Sequence, residues 1–352
     1  MAIDIYTPQF MLAAVQQIKP RPTFLKDRYF PDGATFATEK VLADYKDGSN
    51  KISPYISPRR GGITMYREGF ETMELQPPMT GEKTVLTADD LKRRNFGEAL
   101  FSGMTPAERQ QKFMVNDLKE MSDRIKGRWE AMAAECMLNN AITGKIYADE
   151  IGGDKFQEFE IKYYKDTNDA IYTPAYTWDQ AEANIIDDLY NMAQMLAARG
   201  LPAVDFVCAP NVAAQIRKNQ EIRELLDVRR AEYGGLKPEQ LTNGATLIGV
   251  LNADGFMLNI IAYAAEYTDE TGQKAKYIKD DYGVVTAPGA GEAIYGAVTQ
   301  IEQGMTDFVT REGILVPKYI ADANNNTKTI QLVSCPLLKP VQKSPWIAAQ
   351  LL

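Results

Sequence analysis

Residues 105–144, TPAERQQKFMVNDLKEMSDRIKGRWEAMAAECMLNNAITG, decide how the rest of the chain is read. Thr105-Pro106-Ala107-Glu108 has the form of a helix start. A Thr at the N-cap accepts from the amide of Glu108, and the Glu108 carboxylate reaches back to the cap. Pro106 falls at the first helical position, where a missing N–H costs nothing. Met114, Leu118, Met121, Ile125, Trp129, Met132 and Cys136 then fall within an arc of about 80° at helical pitch. Lys112, Asn116, Lys119, Asp123 and Glu130 fall on the far side. Glu108/Lys112 and Glu120/Arg124 are favourably oriented i,i+4 pairs. Gly144 is the expected C-cap. A helix over this stretch spans roughly 55–60 Å at 1.5 Å per residue. The apolar stripe recurs every eleven residues, about 3.67 per turn, so no left-handed supercoil is expected. The expectation is a straight helix with one face on a sheet, and a slab-like domain around it.

The 352 residues leave room for about two or three domains. A hydrophobic fraction of 45% suffices for real cores. Net charge is −8. With no basic tract longer than Lys92-Arg93-Arg94, sequence-specific nucleic-acid binding is disfavoured. The chain has no histidine. That removes Ser-His-Asp and Cys-His nucleophile activation and histidine-containing zinc sites. The three cysteines, Cys136, Cys208 and Cys335, are far apart and are expected to be free buried thiols in a reducing compartment. No apolar run approaches the ~18 residues of a membrane span. MAIDIYTPQF lacks a basic n-region and does not read as a signal peptide.

Outward from the helix, residues 1–30 read as an arm. It has a short amphipathic turn at Pro8 to Ile18, then Lys19-Pro20-Arg21-Pro22, which blocks a helix. Its apolar Phe10, Leu12, Val15, Phe24, Leu25 and Phe30 dock either on the parent domain or on a neighbouring subunit. Thr35 to Val41 alternates like a strand. Residues 51–90 read as a long two-stranded excursion with little core, ended by Pro77-Pro78. Such a hairpin is marginal alone and is expected to lie on something. Its charges, Arg59, Arg60, Arg67, Glu68 and Glu71, suit contact with another chain. Residues 145–175 hold a further β excursion around Phe159, Ile161 and Tyr163.

A compact α/β region is expected at 176–300. Thr177 to Gln180 has capping-box form, and Ile185, Leu189, Met192 and Leu196 mark a helix face closed by Gly200. Strands are expected at Val204–Cys208, Leu247–Val250, Phe256–Ala264, Ala275–Ile278 and Tyr282–Thr286. Short helices are expected within 211–230, and a turn at Asp269 to Gly272. Ile314–Ile320 and Thr329–Ser334 are strand-like and can pair only beside the long helix, which makes 176–300 an insertion.

Candidate chemistry is sparse. Pro288-Gly289-Ala290-Gly291-Glu292 lacks the Lys and Ser/Thr of a phosphate loop and the third glycine of a dinucleotide loop, so it reads as a turn. Asp187-Asp188 and Asp280-Asp281 read as solvated acids rather than metal ligands. Trp129 reads as core. No catalytic residue, cofactor site or metal site emerges. Protruding parts with no core of their own point to other copies of the chain as partners.

The ordered run of Phe24-Leu25, Thr38-Glu39-Lys40-Val41, Tyr55-Ile56-Ser57-Pro58 with Arg59 to Pro78, the long helix, Leu226 to Arg230, the hairpin Asp269 to Ile278, Arg311-Glu312-Gly313, Ser334 to Leu337 and Gln350-Leu351 resembles the lambda-like phage major head (capsid) proteins, the E family. The resemblance runs from about residue 6 to the end. It implies an α+β tailed-phage major capsid protein fold. Its parts are an N-terminal arm at 1–30, an extended loop at 51–90 and a peripheral domain at 31–50, 91–175 and 301–352. The spine helix lies at about 105–143, and an axial domain fills 176–300. It also implies pentamers and hexamers in an icosahedral shell that encloses packaged double-stranded DNA without sequence-specific contact, with inter-subunit contacts through the arm and loop. Further partners implied are a portal protein, a decoration protein and a separate scaffolding protein. The scaffold is expected to be separate because no long charged N-terminal helix precedes the arm. Location is the virion, after the host cytoplasm. No self-crosslinking pair is marked. Two other readings stand beside this one. One is an encapsulin-like compartment of the same fold, the other a carboxylate enzyme in the 176–300 region.

Overall fold

The computed structural model describes residues 22–45, 55, 70–91, 105–147, 155–164, 170–227, 234–235, 238–303 and 306–352. Its longest element is the spine helix Pro106–Asn139, 34 residues, about 51 Å at helical rise. The capping box is formed as the residues predict. Thr105 is extended, Glu108 N–H donates to its Oγ1, and the Glu108 carboxylate accepts from Thr105 N–H at 2.8 Å. All seven stripe residues are buried.

Three features of the helix differ from expectation. It ends at Asn140, whose left-handed φ of 51° makes it the C-cap, so Gly144 is not the cap. Gly144 lies in strand Ala141–Tyr147, opposite Phe159. There the Phe159 ring occupies the space a side chain would need, 2.6 Å from an added Cβ. From Trp129 to Leu138 the helix is buried almost all round, not on one face. Glu130, placed by pitch on the solvent side, is fully buried. The pair Glu120/Arg124 forms at 3.5 Å, and Arg124 also reaches Glu82 at 3.1 Å.

The helix packs on the three-stranded sheet Val316–Asp322, Thr327–Ser334, Thr80–Thr87. Of the two strands expected there, Thr327–Ser334 packs on the helix and Val316–Asp322 pairs with that strand at the sheet's edge. Thr80–Thr87 comes from the stretch read as a hairpin excursion. Pro77-Pro78 breaks the chain there, and the strand pairs over its whole length with Thr327–Ser334. The remaining described part of that excursion, Glu71–Leu75, pairs with Val41–Tyr45. The strand expected across Thr35 to Val41 is two strands, Asp32–Phe36 and Val41–Tyr45.

An eight-stranded sheet occupies most of the 176–300 region. Its order is Glu239–Gln240, Ala245–Ala253, Phe256–Tyr263, Asp205–Cys208, Tyr282–Thr286, Ile347–Gln350, Ile171–Tyr172, and Gly234–Gly235 also pairs with Ala245–Ala253. Every residue of the central strand Asp205–Cys208 is buried, consistent with its apolar Phe-Val-Cys. Helix Ile185–Ala198 packs on the sheet against Ala245–Ala253, Tyr282–Thr286 and Ile347–Gln350, with Ile185, Leu189, Met192 and Leu196 buried. That helix starts at the N-cap Asn184, not at Thr177; residues 177–180 form a turn. The last strand, Ile347–Gln350, pairs with Tyr282–Thr286 and so joins this sheet. A third sheet sets Asp32–Phe36 parallel to Gly291–Gly296 and antiparallel Pro336–Pro340 on its other side. One contiguous core runs through the spine helix and the eight-stranded sheet.

Candidate functional site

The features with candidate chemistry resolve into structure. Among the described residues no three acidic or thiol groups converge as a metal site. Asp188 is buried, contrary to its reading as a solvated acid. It accepts from Trp178 Nε1 at 2.8 Å and Tyr172 OH at 2.6 Å. The amide of its neighbour Asp187 donates to the N-cap Asn184 Oδ1 at 3.2 Å, and the Asp187 carboxylate accepts from Asn184 Nδ2 at 2.6 Å. Asp280 pairs with Lys276 at 2.7 Å. Residues 287–290 form a turn with Gly289 at φ 72°, while Gly291 and Glu292 of the stretch read as a turn already belong to strand Gly291–Gly296. Trp129 is core, against Tyr295 at 5.4 Å.

The cysteines are free and buried. Burial raises the thiols of Cys136 and Cys208, and lifts Cys335 to about 11. A raised thiol is neutral at ordinary pH, and the thiolate is the nucleophile. Native protein is therefore expected to resist alkylation by iodoacetamide at pH 8, and to take up three equivalents once unfolded in urea. Stoichiometric labelling of the native chain would contradict this burial.

Charged groups concentrate where the chain enters its core. A short helix, Leu25–Tyr29, lies across the spine helix. Glu130 accepts the amides of Phe24, Leu25 and Lys26 at 2.8 to 2.9 Å, and the hydroxyl of Tyr263 at 2.6 Å. Three of these donors, the Phe24 and Leu25 amides and the Tyr263 hydroxyl, fall on Oε1, and the Lys26 amide falls on Oε2. Asp205, at the start of the central strand, accepts Arg28 through two nitrogens at 2.6 and 3.0 Å, Tyr29 OH at 3.0 Å and Asn259 Nδ2 at 2.8 Å. Its hydrogen bond raises the Arg28 guanidinium, and burial raises Tyr29 well above its ordinary value. Asp32 receives Lys26 Nζ and Tyr295 OH, both at 2.6 Å. Burial alone would raise Asp32; those two donors outweigh it and hold it below its ordinary value.

Among the described residues, exposed apolar side chains include two groups beside ordered β-structure. The ladder Val41–Tyr45 with Glu71–Leu75 buries Ala43, Tyr45 and Leu75, with Tyr45 edge-on to Tyr164 at 5.0 Å. Beside these, Leu42 is 70% exposed and Phe70 is 68% exposed. The second group lies along a shallow groove of about 280 Å³ between the three-stranded sheet and the ladder Val298–Ile301 with Phe308–Arg311. Met79, Ile301 and Phe308 line it, and Phe308 is 73% exposed. Of the predicted contact residues, Glu71 is half-buried at the head of its strand, opposite Tyr45. Arg59, Arg60, Arg67 and Glu68 lie outside the described residues.

Pitch alone missed Glu130 and Asp205. The usable signal for Glu130 was its setting. Trp129 and Ala131-Met132-Ala133-Ala134 surround it with residues that suit burial on every side, and an acid inside such a run needs buried donors. Nothing local marks Asp205, whose partners lie up to 177 residues away.

The family described as phage major capsid protein E matches this chain over residues 7–350. The P21 prophage-derived major head protein of Escherichia coli O6:H1 (strain CFT073) is 25% identical over 308 residues, 86% of each chain. The major capsid protein of Enterobacteria phage P21 matches to the same extent. Among solved structures, a prophage capsid protein of E. coli CFT073 superposes with a TM-score of 0.66 at 17% identity, covering 98% of this chain and 99% of that one. A phage-related protein of Bordetella bronchiseptica RB50 superposes with a TM-score of 0.50 at 10% identity, covering 97% and 96%. The fold is that of the tailed-phage major capsid proteins.

Proposed function

This chain belongs to the phage major capsid protein E family, and we propose that it is the repeating tile of an icosahedral head shell. Copies associate as pentamers and hexamers, and the closed shell surrounds double-stranded DNA without reading its sequence. The role is structural, not catalytic. Assembly takes place in the host cytoplasm with a separate scaffolding protein and a portal protein, and a decoration protein is a further partner. The layout carried with this reading is an arm at 1–30, an extended loop at 51–90, a peripheral domain around the spine helix and an axial domain at 176–300.

The observation that carries it is the ladder Val41–Tyr45 with Glu71–Leu75. One side is fixed in the core by Ala43, Tyr45 and Leu75, while Leu42 and Phe70 stay open to solvent within the subunit. Apolar groups held out in this way on an ordered base mark a surface that another chain covers. A second copy is the simplest cover, since most assemblies of soluble chains are homomeric.

The segment between these strands, through Arg59, Arg60, Arg67 and Glu68, and Glu71 at the head of the second strand are proposed to join neighbouring tiles. Replacing Arg67 and Glu68 together with Ala should leave subunits folded and abolish fast-sedimenting particles in a sucrose gradient. Wild-type-like sedimentation of that double variant would exclude the loop's charges as the joint.

A further inference from the structure

Thr23 to Phe36 is tied to three separate parts of the fold within fourteen residues. Glu130 of the spine helix takes the amides of Phe24, Leu25 and Lys26. Asp205 of the eight-stranded sheet takes Arg28 and Tyr29. Gly291–Gly296 of the third sheet pairs with Asp32–Phe36, and Tyr295 donates to Asp32. Tyr263 closes the circuit. Its hydroxyl donates to Glu130 and accepts from Asn243 Nδ2 at 2.7 Å, so sheet and helix share one buried acceptor.

The donors on Glu130 have no alternative. The first amides of a helix lack intrahelical acceptors, and these three are buried among Phe24, Tyr263 and the spine helix, away from water. A glutamine at 130 presents one oxygen and one NH₂. The NH₂ then faces an amide donor, and at least one amide loses its acceptor.

We propose that Thr23–Phe36 is a strap that sets the orientation of the spine helix against the eight-stranded sheet, and that Glu130 is the positioning residue that fastens it for shell assembly. A tile whose helix and sheet can shift against each other meets its neighbours at variable angles, so loosening the strap should spoil closure of the shell before it unfolds the subunit. The assembly half of this inference rests on the shell reading; the strap itself does not.

The test is Glu130→Gln in the full chain, with hydrogen exchange resolved to single amides and electron microscopy of the product. The Lys26 amide, which faces Oε2, should exchange roughly 10- to 100-fold faster than in wild type, the loss expected for one buried hydrogen bond to a charged acceptor, with smaller increases at Phe24 and Leu25. Amides of Val207 and Ile261 in the central sheet should keep their protection. Shells should be open, irregular or mixed in size. Unchanged exchange at 24–26 would overturn the strap, and fast exchange with regular shells would overturn its role in assembly. Wild-type protein that forms no shells would instead sink the shell reading and leave the exchange result standing. If Glu130→Gln does not fold, Tyr263→Phe removes one donor and keeps all three amide acceptors. It should then speed exchange at 24–26 by a smaller factor, and no change there would also overturn the strap.

Discussion

Asp205→Ala should lower the stability of the unassembled subunit by about 3–5 kcal/mol, the range for breaking a buried ion pair by removing one partner. Asp205 is fully buried and accepts four hydrogen bonds from Arg28, Tyr29 and Asn259. Alanine leaves the Tyr29 hydroxyl and the Asn259 amide without an acceptor. It also leaves the Arg28 guanidinium with no countercharge at that site. Arg28 is one-third exposed and can rehydrate in part, which places the loss at the lower end. Asp205→Asn keeps one acceptor oxygen and should fall between. The check is the urea midpoint at unchanged m-value. A loss under ~1 kcal/mol for the alanine would mean that the cluster is solvated in the folded chain.

Trp346→Ala should be of similar size, about 3–5 kcal/mol, for a different reason. Trp346 is fully buried, with its ring 5.6 Å from that of Phe30. Its Nε1 donates to Asn140 Oδ1 at 2.7 Å. Asn140 is the left-handed residue that ends the spine helix, and it is buried as well. Truncation opens a cavity where the entering segment, the helix terminus and the last strands meet, and it strips the cap of its donor. Trp346→Phe refills most of the cavity and should leave a deficit of roughly 1–2 kcal/mol from the lost hydrogen bond. The two variants therefore separate packing from capping. Equal losses would mean that the hydrogen bond, not the cavity, dominates.

What could be read from the residues was whatever is decided locally. The spine helix begins at Thr105 because its cap and its reciprocal acid are three residues apart. Its buried stripe follows from pitch. The hairpin at Asp269 to Gly272 forms because Asp269 accepts from Thr271 and Gln273 and Gly272 takes φ 84°. Tyr282–Thr286 has the expected ends.

What could not be read depends on distant groups. Gly144 has the residue type of a C-cap, but Asn140 meets Trp346 and stops the helix first. Thr177 and Gln180 have capping-box spacing, yet Trp178 is drawn to Leu351 and Asp188, and residues 177–180 become a turn. Thr80–Thr87 resembles the far arm of an excursion until Thr327–Ser334, some 250 residues later, is available to pair. Glu130 sits opposite the stripe by pitch, and only donors 104 to 133 residues away make it an interior residue. The acids behave alike: local spacing shows that they are present, and long-range partners decide whether they face water.

The resemblance to the head proteins rested on ordered short matches, and it is where a reading confined to local chemistry would have stopped short. The structure adds parts that are well anchored and yet uncovered within the subunit, such as Leu42 on a ladder whose other side is core and Phe70 just before it.

The most direct measurement is electron microscopy of the bacterially expressed protein, with and without the phage's scaffold gene. The tile reading predicts closed shells of uniform size, with resolvable pentamers and hexamers, when the scaffold is present, and aberrant or sparse particles when it is not. Uniform shells from the protein alone would contradict the separate scaffold. Dispersed small particles under both conditions would contradict the tile itself.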